Sequence, residues 1–178
     1  MTEVCFELAT RDHAKAIEGM RRASGAFLTE KLGPGHWSGS TRIQSIRERI
    51  HNADPDSLRR MTLFIASKGG EAVGSVAVST FPPGFWKRHF WREPKASGLG
   101  VFNLVVYPEL QGKGIGRFLM DGVEGLARDH GIPYVRLDAY TANPFSTGFY
   151  RHIGYEERAK IDVRSVRLTL FEQGVLGG

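Results

Sequence analysis

Cysteine is almost missing from this sequence: Cys5 stands alone among 178 residues. An internal disulfide and a cysteine-based metal site are both excluded, and a reducing, cytoplasmic setting is expected. Cys5 falls in a strand pattern, where it reads as buried filler rather than as a nucleophile. No apolar run approaches the roughly 20 residues that a membrane helix needs, so no membrane partner is expected. The opening MTEVCFELATRDH has no basic stretch followed by an apolar one, and no secretory signal is read there. The six histidines show neither H-x-x-x-H nor H-E-x-x-H spacing, which argues against a metal. A G-x-S-x-G nucleophile elbow is also lacking. Lys and Arg number 24 against 19 Asp and Glu, giving +5, yet no five or six basic residues run together. A solvated basic surface is therefore favoured over nucleic-acid binding, although the charge also suits an anionic ligand.

What is present is enough for a core: 41% of residues are hydrophobic, and the length fits a single domain over 1–178. Val4, Phe6 and Leu8 alternate, predicting a strand over 3–9, and Thr10 can cap a helix over about 11–24. A turn-rich linker, GPGHWSGS, covers 33–40. Thr41 and Gln44 have capping-box spacing ahead of a helix ending near His51, with Ile43, Ile46 and Ile50 on its face. Strands over 61–67 and 71–81, joined by Lys-Gly-Gly, read as a hairpin. The aromatic and basic stretch 82–98 interrupts before a strand over 99–107. A helix from Ile115, stopped by Gly131, then leads to a strand over 134–140. Asn143 caps a short helix that has Pro144 at its first position and is ended by Gly154. Residues 155–160 and 164–172 complete a last antiparallel pair, with a frayed tail GVLGG. This order describes an α/β (α+β) fold with a parallel crossover from 99–107 to 134–140.

The most specific segment is Gln111-Gly112-Lys113-Gly114-Ile115-Gly116-Arg117, set between a strand and a helix. Three glycines permit positive φ and close backbone approach. Backbone N–H groups at the helix start then form a phosphate site, and Lys113 and Arg117 add charge. The loop fits neither the P-loop nor the G-x-G-x-x-G pattern, and a tight turn without ligand is the plain alternative.

Residues 111–116 match the Q/R-x-x-G-x-G/A signature, and the run LVVYPELQGKGIGRFLM resembles the fourth strand, pyrophosphate loop and third helix of the GNAT superfamily of N-acetyltransferases. The run RLDAYTANPFSTGFYRHIGYEE is similar to the next strand, helix and turn of that family, with Asn143 seven positions before Tyr150 in F-Y-x-x-x-G-[FY]. The strong match covers 99–156. The resemblance implies a mixed, mostly antiparallel sheet of about seven strands with about four helices, splayed between the fourth and fifth strands. It implies an enzyme that moves an acyl group, acetyl or longer, from acetyl-CoA to an amine on a small molecule or protein, by direct attack in a ternary complex. No metal is implied.

Carried over by position, main-chain groups of Leu104, Val105 and Val106 would hold the donor arm and the acetyl carbonyl. Gln111, Gly112, Lys113, Gly114, Ile115, Gly116 and Arg117 would take the pyrophosphate. Asn143 and Ser146 would reach the arm, and Tyr150 would protonate the leaving thiolate. Many members of that family place a Glu on the fourth strand as base, whereas the strand 99–107 here holds no acid. Asp138 is the nearest carboxylate in sequence, with a structural pairing the simpler account of it; His89, Glu109 or a water chain are alternatives. The alternative reading is a CoA-binding sensor or interaction domain that keeps the donor site without turnover; the missing strand acid keeps it open, while Tyr150 argues for catalysis. The stretch 82–98 reads either as a loop packing its own aromatics or as a substrate lid, a homodimer contact or, last, a nucleic-acid stacking surface.

Overall fold

The computed structural model describes residues 3–36 and 42–177. Thr41 and the 37–40 part of the predicted linker lie outside the described residues. Seven strands form one sheet in the order β1-β2-β3-β4-β5-β7-β6. They are β1 (Val4–Leu8), β2 (Thr62–Lys68), β3 (Glu71–Ser79), β4 (Gly98–Val106), β5 (Tyr134–Tyr140), β6 (Glu156–Val163) and β7 (Val166–Gly174). Four α-helices accompany them: α1 (Ala14–Leu32), α2 (Ile43–His51), α3 (Ile115–Asp129) and α4 (Pro144–His152). The β4–β5 ladder is parallel, while the β1–β2, β2–β3, β5–β7 and β6–β7 ladders are antiparallel. The chain clusters into two compact units, Met1–Ser79 with Phe102–Gly122, and Thr80–Val101 with Val123–Gly178.

In the first unit, β2 and β3 form the expected hairpin. Gly69 and Gly70 take φ of 61° and 84°, the two positive values that a two-residue turn between twisted strands requires. Ile17 and Met20 of α1, Ile46 of α2, Leu63 and Ile65 of β2, Ala77 of β3 and Val105 of β4 share one buried cluster. Helix α1 runs eight residues past its predicted end. Leu28 continues the buried stripe of Ala14, Ile17, Met20 and Ser24, and this packing outweighs the roughly 1 kcal/mol cost of a glycine such as Gly25 within a helix. Cys5 corrects another expectation: it is exposed, because β1 is an edge strand whose inward residue is Phe6, stacked on Phe64 at 5.0 Å.

The second unit is built on β5, hydrogen-bonded to β7 along its whole length and to β4 only at Gly98–Val101. The β6–β7 hairpin is longer than the sequence suggests and turns through Arg164 at φ 53°. The tail is tied down at its start, since the Val175 N–H donates to the Pro133 carbonyl at 2.8 Å. The stretch between β3 and β4 packs its own tryptophans: Trp86 and Trp91 are buried, edge to face at 5.5 Å. Arg136 of β5 lies over the Trp91 ring at 4.9 Å and donates to Glu172 Oε2, at 2.8 Å, and to the carbonyls of Ala96 and Glu93. Gly98 leaves room for it, because a Cβ there would sit 2.6 Å from Arg136 Cδ.

Candidate active site

In the first unit, β4 carries an irregularity that the sequence reading missed. Its ladder with β5 ends at Val101, and two residues later Asn103 takes φ 51°. Asparagine is among the few residues that tolerate this left-handed region. An Asn inside the apolar run VFNLVVY was the available signal. A residue of this conformation within a strand re-aims the peptide groups that follow, here Leu104, Val105 and Val106. The Val106 carbonyl accepts a hydrogen bond from Ser24 Oγ of α1 at 3.2 Å, so part of its capacity is committed.

The loop after β4 has the expected strand-loop-helix setting. Gly112 and Gly114 take φ of 74° and 82°, and their α-hydrogens face open space. Gly116 departs from expectation: it lies within the first turn of α3 and is absent from the residues with positive φ. Two glycines, not three, therefore need the freedom. Gln111, Gly112, Lys113, Gly114 and Arg117 are exposed, while Ile115 is buried. The Phe118 N–H is satisfied by the Gly114 carbonyl at 2.9 Å, and the N–H groups ahead of it at a helix start have no intrahelical partner. Arg117 is bridged to Asp121 at 2.8 Å, one helical turn on. Gly74 of β3 brings this helix start against β4. A Cβ there would lie 2.9 Å from both Ile115 Cγ2 and Leu119 Cδ1, and 3.4 Å from the Val105 carbonyl oxygen.

In the second unit, Asn143 is the cap of α4, accepting from the Phe145 and Ser146 N–H groups at 3.1 and 3.3 Å. Its side-chain oxygen is spent on the helix, which leaves only the amide NH2 for a ligand. Ser146 Oγ donates back to the Asn143 carbonyl at 3.4 Å. Asn143, Thr147 and Tyr150 form the buried face of the helix, at i, i+4 and i+7. The Tyr150 ring is packed among Phe149, Tyr155 and Phe171, with centroids 5.2 to 5.9 Å away. Burial, and secondly the charge of Asp138, push the phenol above its ordinary pKa, so it stays protonated throughout the physiological range.

Asp138, half-buried on β5, has a structural partner: Trp86 Nε1 donates to its Oδ2 at 2.8 Å. Burial raises the carboxyl above the usual range, and the Trp86 bond partly offsets this. The sequence offered no sign that a tryptophan 52 residues earlier holds this carboxylate. His89 lies in a 3-10 turn with its ring against Phe90 at 4.2 Å, and Glu109 is exposed on a turn after β4. Among the described residues, no group of three or more His, Cys, Asp or Glu could hold a metal ion. No helix of the described residues is long and apolar enough to cross a membrane.

The Acetyltransferase (GNAT) family model matches residues 32–155, well over half of the chain. The chain belongs to the GNAT acetyltransferase family. Solved structures agree with this GNAT fold. PaiA N-acetyltransferase of Thermoplasma acidophilum, in complex with coenzyme A, is similar over 97% of this chain and 99% of its own, with TM-score 0.73 and 14% identity. The ribosomal-protein-alanine N-acetyltransferase of Brucella melitensis is similar over 96% and 99%, with TM-score 0.69 and 18% identity. YncA of Salmonella typhimurium, a putative acetyltransferase with its cofactor acetyl-CoA, is similar over 99% and 96%, with TM-score 0.68 and 15% identity. No protein of curated function matches the sequence. In this GNAT chain the seven strands, four helices and parallel β4–β5 pair are those the resemblance implied.

Proposed function

We propose that this chain is an acetyl-CoA-dependent N-acetyltransferase of the cytoplasm that moves an acetyl group to an amine by direct attack in a ternary complex. The observation that carries the reading is the open loop at Gly112 and Gly114, where left-handed glycines present main-chain N–H groups at the start of α3. Such a cradle fits a pyrophosphate through partial positive charge and close approach, with Lys113 and Arg117 at its rim. Acetyl-CoA supplies the thioester that an amine can attack.

The chain's own residues account for the remaining requirements. Peptide groups of Leu104 to Val106, re-aimed by Asn103, hold the donor arm and face the negative charge that builds on the carbonyl oxygen. Asn143 offers its NH2 to the arm, with Ser146 beside it on α4. Tyr150 donates a proton to the departing sulfur, a role suited to a phenol that burial keeps protonated. The attacking amine must be neutral, and an alkylamine has a pKa of about 10.4, so a proton acceptor is required. Asp138 serves as that base; its raised pKa brings it closer to working pH. The test is thiol release from acetyl-CoA against a panel of small and peptide amines. Acetylation of one class supports the reading. Tight CoA binding with no transfer to any amine favours the second reading, a CoA-binding sensor, for which the observation is that β4 carries no carboxylate.

A further inference from the structure

Tyr134, Arg136 and Asp138 alternate along β5, so their side chains share one face of the sheet. The stretch between β3 and β4 covers that face residue by residue. Tyr134 Oη donates to Glu93 Oε1 at 2.6 Å, the Arg136 guanidinium lies 4.9 Å from the Trp91 ring centre, and Asp138 Oδ2 accepts from Trp86 Nε1 at 2.8 Å. The centre of this contact is Arg136. Its Nε donates to Oε2 of Glu172, its direct partner in the β5–β7 register, while Nη1 and Nη2 donate to the Ala96 and Glu93 carbonyls at 3.0 and 3.2 Å. Glu172 also accepts from the Arg92 N–H at 3.0 Å. Trp86, Trp91, Arg136 and Glu172 are all buried. Asp138 ends the row: Leu170 opposes it on β7, and Tyr150 of α4 feels its charge.

Connections this long without a strand or α-helix of their own are commonly mobile unless tied down. A buried ion pair adds little net stability over apolar packing, but it fixes the direction of the groups it holds. The planar fork of a guanidinium reaches a carboxylate and two carbonyls at once while its face stacks on an indole; a lysine lacks both the fork and the flat face. Trp91, held in this way, meets Trp86 edge to face, with 5.5 Å between centroids and 73° between planes. An indole N–H is a donor only, and its bond weakens steeply when misaligned. We propose that Arg136 is a positioning residue for Asp138, acting through Trp91 and Trp86 to aim the indole N–H at the carboxylate. The stretch from Trp86 to Gly98 is then a fixed wall over the β5 face rather than a lid. The consequence for catalysis rests on the reading of Asp138 as the base; the coupling of Arg136 to Asp138 does not.

The test is the titration of the Asp138 side-chain carboxyl, followed by carbon NMR on the whole folded chain, beside the pH profile of kcat/KM. Arg136→Lys keeps the positive charge and loses the fork and the stack, so a direct effect of charge on Asp138 is held constant. Trp91→Leu leaves Arg136 and Glu172 in place and removes the link to Trp86; it carries the test alone should Arg136→Lys fail to fold. In each variant the carboxyl midpoint moves to higher pH, by no more than in Trp86→Phe, and kcat/KM on the acid limb falls by about 2- to 10-fold. Added to Trp86→Phe, neither substitution moves the midpoint further, because the bond they act through is already gone. A midpoint unmoved in either folded variant, or a further move on the Trp86→Phe background, overturns the proposal. A midpoint that moves while the kcat/KM limb stays in place keeps the coupling of Arg136 to Asp138 and defeats the reading of Asp138 as base.

Discussion

Trp86 Nε1 donates a hydrogen bond to Asp138 Oδ2 at 2.8 Å, joining the aromatic stretch before β4 to a carboxylate whose charge acts on Tyr150. The bond favours the ionised form of Asp138 against the burial that disfavours it. Trp86→Phe keeps most of the ring and removes the donor. If Asp138 is the base, the acid limb of the kcat/KM profile moves to higher pH in this variant. A pH profile measured on both proteins checks this, and an unshifted limb removes Asp138 from the reaction.

Asp138→Asn should separate function from stability. The folded-state pKa of Asp138 lies above its unfolded value. Its favourable contribution is therefore complete below the unfolded pKa and is lost as pH rises through the folded one. Asparagine does not titrate and still offers an oxygen to Trp86. The stability difference, variant minus wild type, should thus grow with pH and then level off above the folded pKa, while acetyl transfer falls. Urea denaturation from about pH 4 to pH 8 reads the first effect.

Tyr150→Phe deletes only the hydroxyl from a ring held by Phe149, Tyr155 and Phe171. Loss of general-acid help is worth about 10²–10⁴-fold in kcat, with acetyl-CoA affinity little changed. Because the phenol pKa is raised, the wild-type rate should show no loss from Tyr150 ionisation at mildly alkaline pH. An unaltered kcat, with chemistry shown to limit the rate, would reduce Tyr150 to packing.

Gly114→Val places a β-branched side chain at φ 82°, at a strain cost of about 1–3 kcal/mol. No atom lies within 4 Å of the new Cβ, so the damage comes from reshaping the loop rather than from a clash. Calorimetry should show CoA affinity falling by about tenfold or more. Gly112→Val should act likewise, at φ 74°. Gly116→Ala, in the helix, should retain donor binding and fold at least as well.

Much of this protein could be read from the order of its residues. Periodicity, strand-favouring composition, and turn and cap residues placed the seven strands and four helices, because each of these is a local property of the chain. The cap at Asn143 and Pro144 and the stop at Gly131 are also local, each a hydrogen bond or a φ angle decided within a few residues. The phosphate loop is a contiguous motif, so its glycines and charges are visible as a string.

Tertiary structure decided what depends on partners distant in sequence. Helix α1 extends to Leu32 because a core exists for Leu28 to join. Gly74 is small because Ile115 and Leu119 need its space, 41 and more residues later. Gly116 needs no left-handed freedom because the helix has already begun there. The bond from Trp86 to Asp138 arises only on folding. Burial changes the chemistry of such groups by withdrawing water from their charges, and only the folded chain determines which side chains lose that water.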